Sequence, residues 1–277
     1  MSVVAIGNFD GLHLGHQALL KKAVLIASEA QLPSIAYTFT PHPRKAPRLM
    51  SDAQKAARIT ELGITQAFFQ KFDTSFASLT SLEFIEQVLI GQLQALHVVI
   101  GPNFAFGAGA RGDADTLRSE SRLTTHVVPP VCIDSEVCSS SLIRAAVVAG
   151  DLAKATRLLG REYCLTGEVI KGDGRGHQLG FPTANMKVQQ EILPPFGVYE
   201  TFSPRYGKGA TNIGIRPTFK DHSSAQIETY FPDFSGDLYG KEIEIILKRK
   251  IRDEMRFASV SDLTQQIRRD LEIIDQA

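Results

Sequence analysis

The sequence predicts an α/β domain on a mostly parallel sheet, followed by a smaller antiparallel β domain that ends in a helix. Up to about residue 130, short apolar runs alternate with helix-like stretches, the pattern of a parallel sheet covered by helices. Beyond Arg161, strand-like segments instead follow one another between glycine and proline turns. The chain has 277 residues, which is longer than most single domains, and we expect domains 1–160 and 161–277.

The first domain has five strand candidates, each a short run of apolar or β-branched residues. They are SVVAI, SIAYTF, QAFFQKF, HVVIG and THVVPPV, with helix-like stretches between them. Residues 139–159 then read as helical, with an interruption near Gly150 and Asp151. In sheets of this kind ligands bind at the carboxyl ends of the strands, so the loops that follow the strands are the expected place for a site.

The second domain has strand candidates of its own: YCLTGEVI, GVYETF, GATNIGI, AQIETYF and EIEIILKRKI. Their spacing predicts a compact antiparallel barrel or sandwich, and it leaves both open. The final stretch opens with Ser and Asp, and its apolar residues fall on one face: Leu263, Ile267, Leu271 and Ile274. We expect this stretch to be an amphipathic helix that closes the domain.

Composition argues against several classes of protein. Thirty basic residues balance thirty acidic ones, so the chain lacks the overall positive charge of most nucleic-acid binders. Cys132, Cys138 and Cys164 are odd in number and lack C-x-x-C spacing, which indicates neither a disulfide framework nor a zinc site. No apolar run reaches about 18 residues, and the first residues do not resemble a signal peptide. We expect a soluble cytoplasmic protein without nucleic-acid or membrane partners, and a homo-oligomer is open.

The first candidate site lies in VVAIGNFDGLHLGHQALLKKA, where a buried-looking strand runs into a glycine-rich turn and then a helix. His13 stands in the turn, and His16 falls in or beside the first helical turn. Free backbone N–H groups and the positive end of the helix dipole favour an anion there. Gly11 and Gly15 let a ligand approach the backbone, so this junction predicts a nucleotide-phosphate site.

Three further clusters follow strand candidates of the first domain. His42 lies between prolines in YTFTPHPRK, Asn103 lies in the loop GPNFAFGAGARGD, and Arg144 lies in SSSLIR at a helix start. Taken singly, His42 fits a proline-stiffened surface loop, and the serines fit a plain helix N-cap. Four clusters at successive strand ends are better explained as one site.

The second domain carries a dense cluster of its own, KGDGRGHQLGFPTAN at residues 171–185. A dinucleotide fingerprint must open a helix after a strand, and these glycines run into FPTAN instead. A flexible hairpin tip explains GDGRG but not the buried-looking Phe181 beside Pro182. Without further context, the glutamates of the later alternating strands would be expected to face solvent: Glu228, Glu242 and Glu244.

These motifs together resemble a known family. GNFDGLHLGH is similar to the nucleotidyltransferase signature G-x-F-D-x-x-H-x-G-H, and TFTPHP, GPNFAFG and SSSLIR follow in the order of bacterial bifunctional riboflavin kinase/FAD synthetases. PTAN, NIGIRPTF, IETYFPDFSGDLYGKEIEI and IRDEMRFASVSDLTQQIRRD resemble the kinase half of the same family. The resemblance covers nearly the whole chain. It implies a Rossmann-like nucleotidyltransferase domain with a parallel sheet, then an antiparallel β-barrel with a closing helix.

The resemblance assigns residues to adenylyl transfer, in which the phosphate of FMN attacks ATP and pyrophosphate leaves. The ATP phosphates would be held by His13, His16, Ser140 and Arg144, of which His16 and Arg144 would be catalytic. Further ATP contacts would come from the turn after the first strand: Gly7, Phe9, Asp10 and Gly15. The FMN or adenylyl end would meet His42, Asn103 and Arg111.

The resemblance also assigns a kinase site. Thr183 and Asn185 would bind Mg²⁺ and ATP phosphates, and the loop before them would contribute Gly174, Gly176 and Gly180. Glu228 would be the base, since a primary alcohol such as the riboflavin 5′-hydroxyl loses a proton as it attacks phosphorus. Flavin would be bound by Arg252 and Glu254. The expected substrates and products are then ATP, riboflavin, FMN and FAD.

The favoured function is FAD biosynthesis in two steps, riboflavin to FMN and FMN to FAD, by one bifunctional transferase. GVYETFSPRYGKGATNIG is several residues shorter than the usual hairpin of the family. That shortening motivates an alternative, a monofunctional FMN adenylyltransferase whose second domain binds flavin without kinase activity. Transfer to another phosphate, such as phosphopantetheine or nicotinamide mononucleotide, does not account for the C-terminal motifs, and a scaffold or nucleic-acid binder accounts for neither cluster.

Overall fold

The computed structural model of the chain describes residues 1–43, 46–172, 174, 176, 179–215 and 225–276. The chain forms two compact units, one made of Met1–Ile143 with Leu158–Gly160 and the other of Arg144–Arg157 with Arg161–Ala277. A parallel sheet in the first and an antiparallel barrel in the second confirm the predicted fold class. Among the described helices, none combines the length and the apolar character needed to cross a membrane.

The first unit is built on a five-stranded parallel sheet. Its strands are β1 (Ser2–Ile6), β2 (Ser34–Thr40), β3 (Gln66–Lys71), β4 (Ala95–Ile100) and β5 (Thr124–Val127). They lie in the order β3-β2-β1-β4-β5, and every neighbouring pair is parallel. The chain adds strands on one side of β1 and then crosses to the other, so a ligand crevice is expected at the carboxyl ends of β1 and β4.

Both faces of this sheet bury apolar side chains. Val3 packs in one cluster with Leu20 of α1 (Leu14–Ala30), and Val4 packs in another with Ile85. Because successive side chains of a strand point to opposite faces, the apolar run SVVAI supplies both clusters. Ile85 belongs to a π-helical segment, Phe84–Gln92. The other helical segments before residue 120 are α2 (Asp52–Glu61), α3 (Thr74–Ala77), α4 (Ser81–Glu83), a 3₁₀ turn (Ala108–Ala110) and α5 (Ala114–Arg118).

The helical stretch predicted for residues 139–159 is present, with its interruption. α6 (Ser140–Val148) stops before Gly150, whose φ of 79° is a left-handed conformation that glycine adopts easily. α7 (Leu152–Leu159) follows. A short hairpin of β6 (Cys132–Ile133) and β7 (Glu136–Val137) precedes α6, and the sequence analysis did not predict it.

The second unit is a closed antiparallel barrel, which decides between the barrel and the sandwich that strand spacing left open. Its strands are β8 (Cys164–Ile170), β9 (Thr183–Val188), β10 (Gly197–Ser203), β11 (Gly207–Ile215), β12 (Ala225–Tyr230) and β13 (Glu242–Arg252). The order around the barrel is β10-β11-β12-β9-β8-β13. One strand, β9, was not predicted from the sequence, and it contains the last three residues of PTAN.

Three buried threonines form a chain of hydroxyl groups inside the barrel. Thr211 Oγ1 lies 2.9 Å from Thr201 Oγ1 and 2.8 Å from Thr229 Oγ1. The chain ends at Gly209 O, which accepts from Thr201 at 3.0 Å, and at Met186 Sδ, 3.8 Å from Thr229 Oγ1. Buried hydroxyl groups cost free energy unless they are paired, so these contacts favour one register of the strands that carry them.

The predicted closing helix is α8 (Val260–Asp275), and its N-cap Ser259 accepts the Asp262 N–H at 3.1 Å. A buried ion pair joins this helix to β13. Arg252 Nε donates to both carboxylate oxygens of Asp270, at 3.0 and 2.9 Å, and the Asp270 side chain is only 4% exposed. The last helix is therefore fixed by charge as well as by its apolar face.

The shortened hairpin between β10 and β11 is paired up to its tip. Ser203 lies opposite Gly207, and three residues join them. Gly207 has a φ of 81°, the left-handed conformation that three-residue hairpin loops need. Tyr206 in this loop packs against Phe231 and Phe234, at ring-centroid distances of 5.6 and 4.9 Å.

Candidate active sites

The loop after β1 is tied to β2 through its backbone. Gly7 N–H donates to Tyr37 O at 3.1 Å, and Asn8 O accepts from Thr38 Oγ1 at 3.0 Å. Phe9, which is fully buried, has a φ of 48°, an unusual value for a residue with a bulky side chain. Such backbone persists where surrounding contacts hold it, and it clusters at functional sites.

Asp10 anchors this loop from inside the protein. Its buried carboxylate accepts the Leu49 N–H, at 3.1 and 3.3 Å to the two oxygens. Its backbone carbonyl accepts from Ser140 Oγ at 2.8 Å. Ser140 is the first residue of α6, so the structure brings together two predicted site residues that are far apart in the sequence.

His13 is the N-cap of α1, and its Nδ1 accepts the backbone N–H of His16 at 3.3 Å. An acceptor at Nδ1 places the proton of the neutral ring on Nε2, which makes Nε2 a donor. The rings of His13 and His16 stack, with centroids 3.7 Å apart and planes at 21°. A Cβ at position 15 would lie 3.1 Å from the His13 ring, so the absence of a side chain at Gly15 leaves room for that ring.

His16 is held in its neutral form. Burial lowers its pKa well below the usual value of 6.5, and the neighbouring His13 and Lys55 lower the pKa further. Its Nδ1 is buried and has no hydrogen-bond partner among the described residues. Phe9 packs edge-on against the ring, with centroids 5.4 Å apart. A neutral imidazole can donate one ring N–H to a phosphate at the start of α1, and the negative charge of that phosphate would raise the pKa of His16.

Lys55 is a cation near this loop that the sequence analysis did not single out. It lies on α2, its side chain is 6% exposed, and its ammonium group is 3.8 Å from Asp52 Oδ1. Burial lowers the pKa of Lys55, while the carboxylates of Asp52 and Asp10 act to raise it. A buried lysine within electrostatic range of both Asp10 and His16 adds positive charge beside the predicted phosphate site. In the sequence it looks like any other lysine on a helix.

Arg144 follows Ser140 by one turn of α6, but it belongs to the second compact unit. Its contact with ATP phosphates at the start of α1 stays a prediction.

A cavity of about 420 Å³ opens beside the loop after β1 and is lined in part by Gly7 and Asn8. Six phenylalanines contribute to its wall: Phe39, Phe72, Phe76, Phe84, Phe104 and Phe106. An apolar cavity lined by several aromatic rings suits a planar conjugated ligand. The sequence analysis did not identify these phenylalanines, because they come from separate segments that meet only in the fold.

The residues predicted for the FMN or adenylyl end lie at or next to this cavity. Asn103 lines it, and His42 directly precedes Pro43, which also lines it. Arg111 is exposed and directly follows Ala110, another lining residue. These three residues are compatible with their predicted place, and their roles stay predictions.

A row of three polar residues, the barrel row, crosses the outer face of the barrel. Glu228 on β12 lies directly opposite Asn185 on β9 and directly opposite Asn212 on β11. Directly paired residues of neighbouring strands share a face, so the three side chains lie on one side of the sheet. Asn185 and Glu228 were predicted from separate motifs, and the fold brings them together. Asn212 was not singled out, although it begins NIGIRPTF, whose last four residues lie outside the described part of the chain.

Gln226 connects two members of the barrel row. Its Nε2 donates to Asn185 Oδ1 at 3.1 Å and to Glu228 Oε1 at 2.7 Å. The Asn185 amide packs directly on the backbone of Gly172, where any Cβ would collide with it. Gly172 therefore allows the approach that brings the loop after β8 against the barrel row.

Thr183 lies two residues before Asn185 on β9, so both side chains are on one face. Tyr230 lies directly opposite Thr183, and Phe181 packs edge-on against Tyr230, with centroids 5.5 Å apart. This contact explains why position 181 has an apolar residue, which a flexible hairpin tip would not explain. The predicted loop glycines differ in their surroundings. Gly176 approaches Thr183, since a Cβ there would lie 3.1 Å from Thr183 Oγ1, whereas Gly174 and Gly180 have open space around them.

The two residues predicted to bind flavin have different partners. Glu254 lies against Gly214, which is directly opposite Gln226, so its carboxylate is close to the barrel row. Arg252 is instead engaged by Asp270 and by the backbone carbonyl of Asp253. Its flavin-binding role stays a prediction, and the ion pair gives it a structural role as well.

Neither Glu242 nor Glu244 is beside the barrel row. Both lie on β13, which pairs with β8 and β10 and not with the strands of the row. Glu244 accepts a weak hydrogen bond from Cys164 Sγ at 3.6 Å. Glu228 is therefore the strand glutamate that this geometry favours as a base.

The predicted magnesium ligands provide the donor atoms that Mg²⁺ prefers. Thr183 and Asn185 both offer oxygen, and Asn185 Oδ1 keeps a second lone pair beyond its bond from Gln226. At phosphoryl-transfer sites Mg²⁺ takes few protein ligands and completes its shell with phosphate oxygens and water. Across the described residues, no group of three or more His, Cys, Asp or Glu side chains is arranged to hold a metal ion by itself.

Comparisons with known proteins match both halves of the chain. The family model of FAD synthetase matches residues 1–142, and that of riboflavin kinase matches residues 159–277. The chain is 36% identical over 282 residues to the bifunctional riboflavin kinase/FMN adenylyltransferase of Escherichia coli strain K12, across 97% of this chain and 90% of that protein. It is 38% identical over 285 residues to the protein of the same name from Bacillus subtilis strain 168, with the same coverage.

A solved structure has the same fold. It is described as a macrolide-efflux protein from Streptococcus pneumoniae, and it superposes with a TM-score of 0.87 at 29% sequence identity. The match covers 100% of this chain and 94% of that chain, so it includes both the parallel sheet and the barrel.

Proposed function

The chain belongs to the family of bifunctional riboflavin kinase/FMN adenylyltransferases, and on this premise we propose that it makes FAD in two steps. The barrel unit transfers the γ-phosphoryl group of ATP to riboflavin and forms FMN. The parallel-sheet unit transfers the adenylyl group of a second ATP to FMN and releases pyrophosphate. The observation that carries the proposal is the barrel row, because it sets a candidate base, Glu228, beside a candidate ligand of Mg²⁺, Asn185, in the second unit.

Adenylyl transfer needs alignment and charge stabilisation more than proton transfer. The nucleophile is a phosphate monoester, which is already anionic, so the protein supplies no base. Backbone N–H groups at the start of α1 would hold the ATP phosphates, together with His13, His16 and Arg144. Lys55 would add positive charge from α2.

The loop after β1 sets the shape of this site. Asp10 and Ser140 hold the loop against the start of α6, and Gly7 and Gly15 leave room for backbone and ring contacts. The aromatic cavity suits the flat ring of FMN, whose phosphate would then point toward α1. His42, Asn103 and Arg111 would meet the FMN or adenylyl end near the cavity.

Phosphorylation of riboflavin does need a base. Glu228 would take the proton of the 5′-hydroxyl group as its oxygen attacks the γ-phosphorus of ATP, and ADP would leave. Thr183 and Asn185 would hold Mg²⁺, and the loop with Gly174, Gly176 and Gly180 would cover the phosphates. When bound, Mg²⁺ neutralises the charge that develops on the transferred phosphoryl group.

The second candidate is a monofunctional adenylyltransferase with a silent barrel, as the short β10–β11 hairpin suggested. Asn212 of the barrel row lies five positions along β11 from Gly207, at the tip. At about 3.4 Å per residue the tip lies roughly 17 Å away along the strand. The shortening therefore removes no described residue of the barrel row, and we prefer the bifunctional enzyme.

One assay tests the proposal. The purified protein is incubated with riboflavin, ATP and Mg²⁺, and riboflavin, FMN and FAD are separated by chromatography. We expect FMN to rise first and FAD to follow. If supplied FMN becomes FAD while riboflavin stays unchanged, the monofunctional alternative is correct. If supplied FMN also stays unchanged, the adenylyltransferase assignment fails.

We also infer where each activity resides and where the protein works. FAD formation belongs to residues 1–160 and FMN formation to residues 161–277. The three cysteines are free thiols, which suits the reducing cytoplasm, where we place the protein.

A further inference from the structure

The side chain of Gln226 donates hydrogen bonds to both Glu228 and Asn185. It lies two residues before Glu228 on β12, so the two side chains project from the same face. Its amide nitrogen carries two hydrogens, and it is within bonding distance of two acceptors, Glu228 Oε1 and Asn185 Oδ1. One carboxamide thus joins the proposed base to a proposed ligand of Mg²⁺ and phosphate.

Each of these bonds fixes something that the kinase reaction needs. The bond to Glu228 restricts rotation of a carboxylate that must point one oxygen at the riboflavin hydroxyl. The bond to Asn185 fixes the orientation of its carboxamide group, because only the oxygen of that group can accept an N–H. Without it, Asn185 could turn its NH₂ group toward a cation that needs the oxygen.

The surroundings make this a firm arrangement. Asn185 is buried and packs on the backbone of Gly172, so its amide has little room to move. Gln226 and Glu228 are both partly buried. Gly214, directly opposite Gln226, has no side chain to compete for the space above the strands, and Glu254 lies against it.

We propose that Gln226 is a positioning residue for riboflavin phosphorylation, which orients Glu228 and Asn185 through the two N–H groups of its side chain. The inference rests on the proposed kinase function of the barrel. Gln226 itself need not touch riboflavin or ATP, and its effect is transmitted through the two residues that it holds.

Variants of Gln226 test this by donor capacity. Gln226→Met keeps the length and volume of the side chain but removes both donors. Gln226→Glu keeps the shape but replaces the donors with a carboxylate that repels Glu228. We expect kcat for FMN formation to fall by roughly 10- to 100-fold in Gln226→Met, the usual effect of losing an orienting hydrogen bond, and further in Gln226→Glu. KM for riboflavin should change little, because flavin binding does not use these bonds.

Two controls accompany these variants. Gln189→Met makes the same chemical change at an exposed position just after β9, and it should leave kcat unchanged. Conversion of supplied FMN to FAD, measured on the same protein samples, should also be unchanged in every variant. Equal thermal unfolding midpoints for Gln226→Met and Gln189→Met would separate positioning from loss of folded protein.

A double-mutant cycle provides the decisive comparison. If Gln226 acts through Glu228, adding Gln226→Met to Glu228→Gln should cost much less than it costs in the wild type. Equal cost in both backgrounds, or a Gln226→Met enzyme with wild-type kcat, overturns the inference while the kinase function stands. A wild type that makes no FMN from riboflavin overturns the kinase assignment and this inference together.

Discussion

Glu228 and Asn185 face each other directly across β12 and β9, and the carboxamide of Gln226 is hydrogen-bonded to both. Residues so paired in an antiparallel sheet have Cβ atoms only about 5 Å apart. A carboxylate and an amide oxygen at this spacing can serve one phosphoryl transfer, the first as proton acceptor and the second as ligand.

Glu228→Gln should lower kcat for FMN formation by roughly 10²–10⁴-fold, because glutamine keeps the shape of the side chain but cannot accept the riboflavin proton. Flavin affinity, measured by fluorescence titration, should stay nearly the same. Glu244→Gln is the matched control, since Glu244 lies on β13 away from the barrel row. Full activity of Glu228→Gln would mean that another group accepts the proton.

His16→Ala should reduce FAD formation from supplied FMN by roughly 10²–10³-fold, the usual effect of removing one preorganised donor to a developing charge. FMN formation should be largely unaffected, because the proposed kinase site lies in the barrel. His97→Ala, near the amino end of β4 in the same unit, serves as control. A variant that loses both activities equally would contradict the division into two sites.

The Arg252–Asp270 pair should contribute to stability. Arg252→Met leaves a buried carboxylate unpaired, so we expect the free energy of unfolding to fall by about 3–5 kcal/mol, measured by urea denaturation. The double variant Arg252→Met/Asp270→Leu should recover most of this loss. Riboflavin titration of the double variant then tests the predicted flavin contact: normal affinity would leave Arg252 with its structural role alone.

Stability of the first unit should fall as the pH drops. His97 Nδ1 lies 3.1 Å from His126 Nε2, a bond that needs at least one neutral ring. Burial lowers the pKa of His126 below 6.5, and the charges of His97 and Lys22 lower it further. The unfolded chain therefore takes up the proton more readily than the folded protein. The stabilising contribution is complete above about pH 6.5 and is lost as the pH falls through the unfolded and then the folded pKa.

His126→Gln removes this titration. Its thermal unfolding midpoint should depend less on pH between about pH 7 and 5 than that of the wild type, although His16 keeps part of the slope. Identical pH profiles would show that the His97–His126 pair does not contribute.

A fragment of residues 161–277 should fold and bind riboflavin, since the barrel and α8 form a core of their own. Residues 144–157 belong to the same compact unit, and a Cβ at Gly150 would lie 3.3 Å from the Pro195 ring. A longer fragment, 139–277, should therefore have the higher unfolding midpoint by differential scanning fluorimetry. An insoluble short fragment beside a soluble long one would move the boundary to before α6.

Features carried by continuous sequence were predictable. The loop after β1 could be singled out because its glycines and histidines are close together in the sequence, and the parallel sheet because its strands are apolar throughout. β9 was missed because PTAN follows a glycine-rich stretch and looks like the rest of a loop. Its pairing with β12, which brings Asn185 to Glu228, depends on barrel closure and not on local pattern.

Contacts between distant segments were not predictable. The residues that line the aromatic cavity come from several separate segments, so no short stretch of sequence predicts it. Lys55 and Gln226 have ordinary sequence surroundings and become notable only through what they face. The buried position of Asp270 could have been recognised from the sequence. An acidic residue among the apolar positions of an amphipathic helix indicates a buried partner, which here is Arg252.

The threonine chain inside the barrel and the barrel row outside it occupy adjacent residues of the same strands. Thr211 precedes Asn212, Thr229 follows Glu228, and Met186 follows Asn185. A slip of one residue between these strands would break the hydroxyl contacts inside the barrel. It would also separate the polar side chains of the barrel row on the outer face. The buried threonine contacts thus fix the strand register that keeps the barrel row together. An insertion at a loop tip such as the β10–β11 turn would leave this register in place, whereas a single-residue insertion inside β9, β11 or β12 would disrupt both the core and the barrel row.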